Sequence, residues 1–344
     1  MRVSSILFEH NYLPILHFEN ILHFEHENVY SPEYWGYGRT DDIDHLCKKQ
    51  FIVKNRIEST NDVEAVIINN ATYNKYNDSE YVDKIICDYF NDAKVFDLRN
   101  KYNELTYLSQ VNNINNPQYI YDLYDDTVIT NNSRSKKVFV FSSVEGDTTS
   151  LYSQLSLFAF ITKSDKKAVI VPSVKIISPN RNVINFDWSL YSRIPLKDFY
   201  LEFKSFIKNI IYSDSDYLII GVPQNIINVS QKCDSEIGVM QFILSQIIKI
   251  DALVVNIPNN GFSKDVLTDI QEVLKNRYEC NNTYIINSNI LYQKSNDRNN
   301  PIYLNREKLK HCGAQNAVNC DNSFLLFDEL DENVFSNKLV KDFL

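Results

Sequence analysis

Between residues 136 and 300, short apolar runs of strand composition alternate with segments of helical periodicity, and this alternation limits the fold more than any other feature of the chain. The runs are KVFVFS at 137–142, AVIV at 168–171, YLIIGV at 217–222, ALVVNI at 252–257 and TYIIN at 283–287. All are short, bounded by turn residues and rich in β-branched or aromatic side chains, as strands are. Segments 148–161, 199–212, 236–250 and 263–277 lie between them. In the second of these, Phe199, Leu201, Phe203, Phe206, Ile207, Ile210 and Ile211 recur at the spacing that gives a helix one apolar face. Strands alternating with helices of this length imply crossover connections and a largely parallel sheet. YLIIGV and ALVVNI are apolar on both faces, which places them in the middle of a sheet covered by helices.

The first 130 residues carry a fainter version of the same pattern. A strand is expected at 1–9, a short helix at 14–24, a buried strand at 63–69, a helix at 80–91 and a further strand at 94–98. The fold class is therefore α/β: two Rossmann-like or P-loop-like layered units with mainly parallel sheets. The expected division is an N-terminal α/β domain at 1–130, a Rossmann-like or P-loop-like α/β domain at 136–300, and a C-terminal extension at 301–344 that forms either a closing helical cap or a small partner-docking element. Residues 119–126, acidic and tyrosine-rich, together with 131–135 read as the linker.

Where a nucleotide-binding fold has its first strand, phosphate loop and helix, this chain has VFVFSSVEGDTTSLYSQL at 138–155. A working loop needs glycines, so that backbone amides can approach the phosphates, and a lysine for the terminal phosphate. Gly146 is the one glycine here and no lysine is present. The whole chain holds 7 glycines in 344 residues, about a third of average usage. The phosphate loop is thus degenerate. Ser142, Ser143, Gly146, Asp147, Thr148 and Thr149 remain candidate ligand contacts, because helix-terminal amides favour an anion and the threonines can donate hydroxyls. Against that, Glu145 and Asp147 bring negative charge, and the same residues serve equally as a turn in which Asp147 or Thr148 caps the helix.

A second candidate edge is Gly221, Gln224 and Asn225, at the carboxyl end of a buried strand where parallel sheets place ligands, with Pro223 fixing the turn and Asp234 in the following loop. A third is the loop holding Trp35, Gly36, Gly38 and Arg39, which suits a ligand or peptide and equally a rigid turn packed on its own domain. His23 and His26, three residues apart, would share one face if helical, but no three-ligand signature completes a metal site. No catalytic residue can be assigned, since no nucleophile elbow, Cys–His pair or kinase set is visible.

Net charge is −9, which leaves no basic surplus for a nucleic-acid backbone or an anionic membrane. Arg134, Lys136 and Lys137 read as an exposed linker. The six cysteines show no CxxC spacing and are expected as free thiols in a reducing cytoplasm. The most apolar stretch, 239–258, is interrupted by Gln241, Gln246, Lys249 and Asp251, too polar for a bilayer span. No signal peptide is expected.

Taken in order, VYSPEYWGYG at 29–38, FVFSSVEGDTTSLYSQLSL at 139–157, and DYLIIGVPQNI with EIGVMQFILSQIIKIDALVVNI across 216–257 resemble the peptide maturation system proteins. These are encoded in clostridial cassettes for ribosomally made, cysteine-rich peptides, beside a radical SAM maturase and an acyl-carrier-related protein. The resemblance implies an accessory or scaffolding protein that binds the precursor peptide or a partner such as that maturase or carrier. The family's turn is richer in glycine and small residues than the Val144–Asp147 stretch here, and no catalytic residue carries over. The alternative function is a nucleotide-dependent enzyme, using ATP or GTP with magnesium, whose phosphate loop is non-standard.

Overall fold

The computed structural model describes residues 2–6, 13–30, 53–54, 65–68, 94–97, 136–144, 150–226, 238–257, 263–287, 290–294, 299–303, 323–325 and 329–343. The chain divides into two units, one of residues 1–117 with 175–181 and the other of 118–174 with 182–344. Both are α/β, and every strand pair in their two main sheets is parallel.

The first unit contains β1 (Arg2–Ile6), α1 (Leu13–His17), α2 (Glu19–Leu22), β2 (Glu25–Tyr30), β3 (Val53–Lys54), β4 (Ala65–Ile68) and β5 (Lys94–Asp97). Its sheet runs β3-β2-β1-β4-β5, the first five positions of the doubly wound Rossmann order, with the reversal at β1. The helix expected at 14–24 is two short helices. α2 ends where His23 adopts a left-handed conformation (φ 62), and its last carbonyls are satisfied from far along the chain. Ser178 Oγ donates to the Leu22 carbonyl and Asn180 Nδ2 to that of Ile21, each at 2.9 Å, closing a helix end that would otherwise be left unpaired. His26 lies in β2, so the backbone passes from helix to strand between it and His23. The two residues therefore do not share one helix. The helix expected at 80–91 and the linker at 119–135 lie outside the described residues.

The second unit runs β6 (Lys137–Ser143), α3 (Ser150–Lys163), β7 (Ala168–Val171), α4 (Leu190–Arg193), α5 (Leu196–Ile211), β8 (Tyr217–Asn225), α6 (Val239–Ile247), β9 (Ala252–Ile257), α7 (Lys264–Tyr278), β10 (Thr283–Asn287), β11 (Ile290–Lys294), β12 (Asn299–Tyr303), β13 (Ser323–Leu325) and α8 (Glu329–Lys341). Its six-stranded sheet has the order β13-β10-β9-β6-β8-β7. β6, first in the chain, is thus central, and the strands that follow go first to one side of it and then to the other. At constant handedness, crossovers that move in opposite directions across a sheet land on opposite faces, and the helices are divided accordingly. Val138 and Val140 of β6 pack with Phe199, Phe203 and Ile207 of α5, Leu244 of α6 and Leu274 of α7 in one buried cluster. The alternate residues Phe139 and Phe141 face α3 and α8; Phe141 and Phe335 form an edge-to-face ring pair with centroids 6.5 Å apart. Fully burying a side chain of this kind contributes about 1.5–3 kcal/mol, so the two faces fix β6 at the centre.

Two expectations change. Lys136 belongs to no exposed linker: it is buried, and its ammonium donates to the carbonyls of Ile210 (3.2 Å) and Ser213 (2.9 Å) and to Ser213 Oγ (3.1 Å) at the carboxyl end of α5, where a cation complements the helix dipole. Pro223 fixes no turn, because β8 continues through it to Asn225. The β6 pairing is irregular between Phe141 and Ser143, and such irregularities are where a strand tolerates proline. Within 301–344, the described residues supply an edge strand and a helix to this unit, β13 pairing with β10 and α8 packing on α3. An antiparallel hairpin, β11–β12, precedes it.

Candidate functional site

Four parallel strands bring neutral polar residues to the carboxyl edge of the second sheet: Ser142 and Ser143 from β6, Gly221 and Asn225 from β8, Asn256 from β9 and Asn287 from β10. β6 has its neighbours on opposite sides of the strand-order reversal, and the crevice outside that reversal is where open α/β sheets hold ligands. The register places Ser143 beside both Asn256 and Asn225. Backbone bonds continue past the ladder, from Val144 N–H to the Asn256 carbonyl (2.9 Å) and from Ile226 N–H to the Ser143 carbonyl (2.8 Å).

Side chains then tie this edge to the helices. Asn256 Nδ2 donates to the Ser142 carbonyl (3.2 Å), while Asn256 Oδ1 accepts from Ser153 Oγ in the first turn of α3 (3.1 Å). Gln154 Nε2 donates to Ser150 Oγ (2.7 Å) and Ser173 Oγ (3.0 Å), and Gln154 Oε1 accepts from the Ser173 N–H (3.1 Å). On the other face, Gln241 Nε2 of α6 donates to Ser142 Oγ (2.7 Å). All seven of these residues are buried, and burial of amides and hydroxyls is tolerable because each has found a partner. Ser143 Oγ is different: it is buried without a hydrogen-bond partner among the described residues.

Entry to α6 is fixed by Gly238, whose φ of 71 suits glycine. Its N–H donates to the Asn225 carbonyl (2.9 Å), and its carbonyl accepts from the Tyr278 hydroxyl (3.3 Å). Burial pushes the Tyr278 pKa up against the opposing charge of Arg277, so this hydroxyl stays protonated at neutral pH.

Charged groups that bond the sheet backbone sit at the opposite, amino edge. Asp251 Oδ2 accepts from the Val138 N–H (2.9 Å) and Asp216 Oδ2 from the Lys167 N–H (3.1 Å). The described carboxyl edge therefore offers shape and neutral hydrogen bonding, with no group that titrates near neutrality.

Of the residues picked out in the sequence, the structure brings together Ser142, Ser143, Gly221 and Asn225. Gln224 lies on β8, with only its backbone described. Gly146, Asp147, Thr148, Thr149, Asp234, Trp35, Gly36, Gly38 and Arg39 lie outside the described residues. Sequence reasoning passed over Ser153, Gln154, Ser173, Gln241 and Asn256. The available signal was a polar residue inside an otherwise apolar element, as with Asn256 in ALVVNI. Among the described residues no cluster of three or more His, Cys, Asp or Glu could hold a metal ion, and no helix is long and apolar enough to cross a membrane.

No protein-family model matches the chain, and no curated protein matches it. Among solved structures it is similar to a DUF1611 family protein from Anabaena variabilis ATCC 29413, with a TM-score of 0.47 and 9% identity, over 100% of this chain and 99% of that one.

Proposed function

We propose that this chain is an accessory protein of peptide maturation, cytoplasmic, which binds a precursor peptide or a partner such as a radical SAM maturase or an acyl-carrier-related protein. On this reading it presents its ligand without turning over nucleotide. The supporting observation is the chemistry of the carboxyl edge, where neutral, buried residues form two hydrogen-bonded groups, Gln241, Ser142, Asn256 and Ser153 in one and Gln154 and Ser173 in the other. General acid–base work needs a group whose pKa lies near the working pH, and phosphoryl transfer needs cations to neutralise charge. The stretch from Val144 to Thr149 adds no lysine and a single glycine. The test is co-purification of the tagged chain with the peptide, the maturase and the carrier protein of its own cassette. Retention of at least one is expected, and retention of none overturns the reading.

A second reading, a nucleotide-dependent enzyme, draws on one observation: central β6 leads through a connection of six residues, 144–149, to α3, the position where such folds hold phosphates. Calorimetry with ATP and with GTP, each with magnesium, separates the two. A flat titration removes the enzyme reading, and saturable heat with turnover removes the first.

A further inference from the structure

We draw no further inference here: the strongest candidate, the buried Ser143 hydroxyl beside the first turn of α3 at the carboxyl edge of the second sheet, belongs to the site already described, and one hydroxyl at a helix N-terminus singles out no class of ligand.

Discussion

The side-chain amide of Gln154 packs so closely on the α-carbon of Gly221 that a β-carbon there would overlap it. Three hydrogen bonds, to Ser150 Oγ, Ser173 Oγ and the Ser173 N–H, keep that amide from swinging aside. Gly221→Ala is therefore expected to destabilise the second unit by about 1–3 kcal/mol, the usual cost of overpacking. Urea unfolding would report it as a lower midpoint at unchanged slope. In a Gln154→Ala background the added alanine should cost clearly less, since the obstacle is gone. Strictly additive costs would mean that the two residues do not meet.

Lys136 places its ammonium on two carbonyls and one hydroxyl at the end of α5. Lys136→Met leaves these acceptors buried without their donor, a loss of about 1–3 kcal/mol. Lys167, whose ion pair with Asp214 is exposed, is the control. Lys167→Met should change stability by less than about 1 kcal/mol, as exposed pairs do. Equal effects in thermal unfolding would contradict the burial of Lys136.

Asp342 follows the last turn of α8, where it accepts from the Tyr284 hydroxyl (2.8 Å) and from Lys338 Nζ (2.6 Å). Burial works to raise the Asp342 pKa, but the bonds from Lys338 and Tyr284 outweigh it and hold the carboxyl below its ordinary value. A carboxylate lowered in the folded state adds stability that is present above its unfolded pKa, near about 4, and is lost as pH falls through the folded value. The Tyr284 pKa moves the other way, raised by burial and then by Asp342, so its contribution is held below about pH 10 and lost at higher pH. Asp342→Asn should flatten the acid limb of the stability profile. Tyr284→Phe should flatten the alkaline limb, and an unchanged profile in both variants would remove this contact from the account.

Cys280 is buried, and its thiol pKa is pushed up to about 11, chiefly by desolvation. Because the thiolate is the reactive form, Cys280 should stay unalkylated in the native protein at pH 8 and be modified only after unfolding. Peptide mapping by mass spectrometry reads the site directly. Rapid native labelling would show that α7 and β10 open there.

Asn256 and Ser143 are neighbours in register but opposite in prospect. Asn256→Ala removes the two bonds by which β9 bridges β6 and the first turn of α3 and should cost about 1–3 kcal/mol. Ser143→Ala removes a hydroxyl that has no partner among the described residues, so stability should be unchanged within about 0.5 kcal/mol or slightly increased. If the carboxyl edge holds the peptide or partner, Asn256→Ala should also weaken retention in co-purification while the fold persists by circular dichroism.

The alternation of apolar runs with helical periods carried most of the second unit, because strand and helix each leave a local signature in which side chains are apolar. AVIV, ALVVNI and TYIIN occupy β7, β9 and β10 over the expected residues. Helix ends were less legible. α6 begins at Val239, after Gly238, later than its apolar pattern suggests, since periodicity does not mark the residue at which the backbone turns. The candidate site was half visible. Ser142, Ser143, Gly221 and Asn225 announce themselves as polar or glycine positions at strand ends. Gln154 and Gln241 look like surface residues of amphipathic helices until the sheet is placed beneath them.

Local sequence thus settled that this chain is α/β, that the runs forming β6, β7, β9 and β10 are buried, and that the stretch after β6 lacks lysine, because each of these depends on residues near one another in the chain. Only the tertiary structure decided that β8 lies beside β6, that the tail completes the sheet through β13, and that Lys136 is buried. It likewise decided that Asn256, 103 residues from Ser153, is its hydrogen-bond partner. The reason is that strand order and polar pairing are settled by which distant surfaces can bury one another with every amide satisfied, and no window of neighbouring residues contains that information.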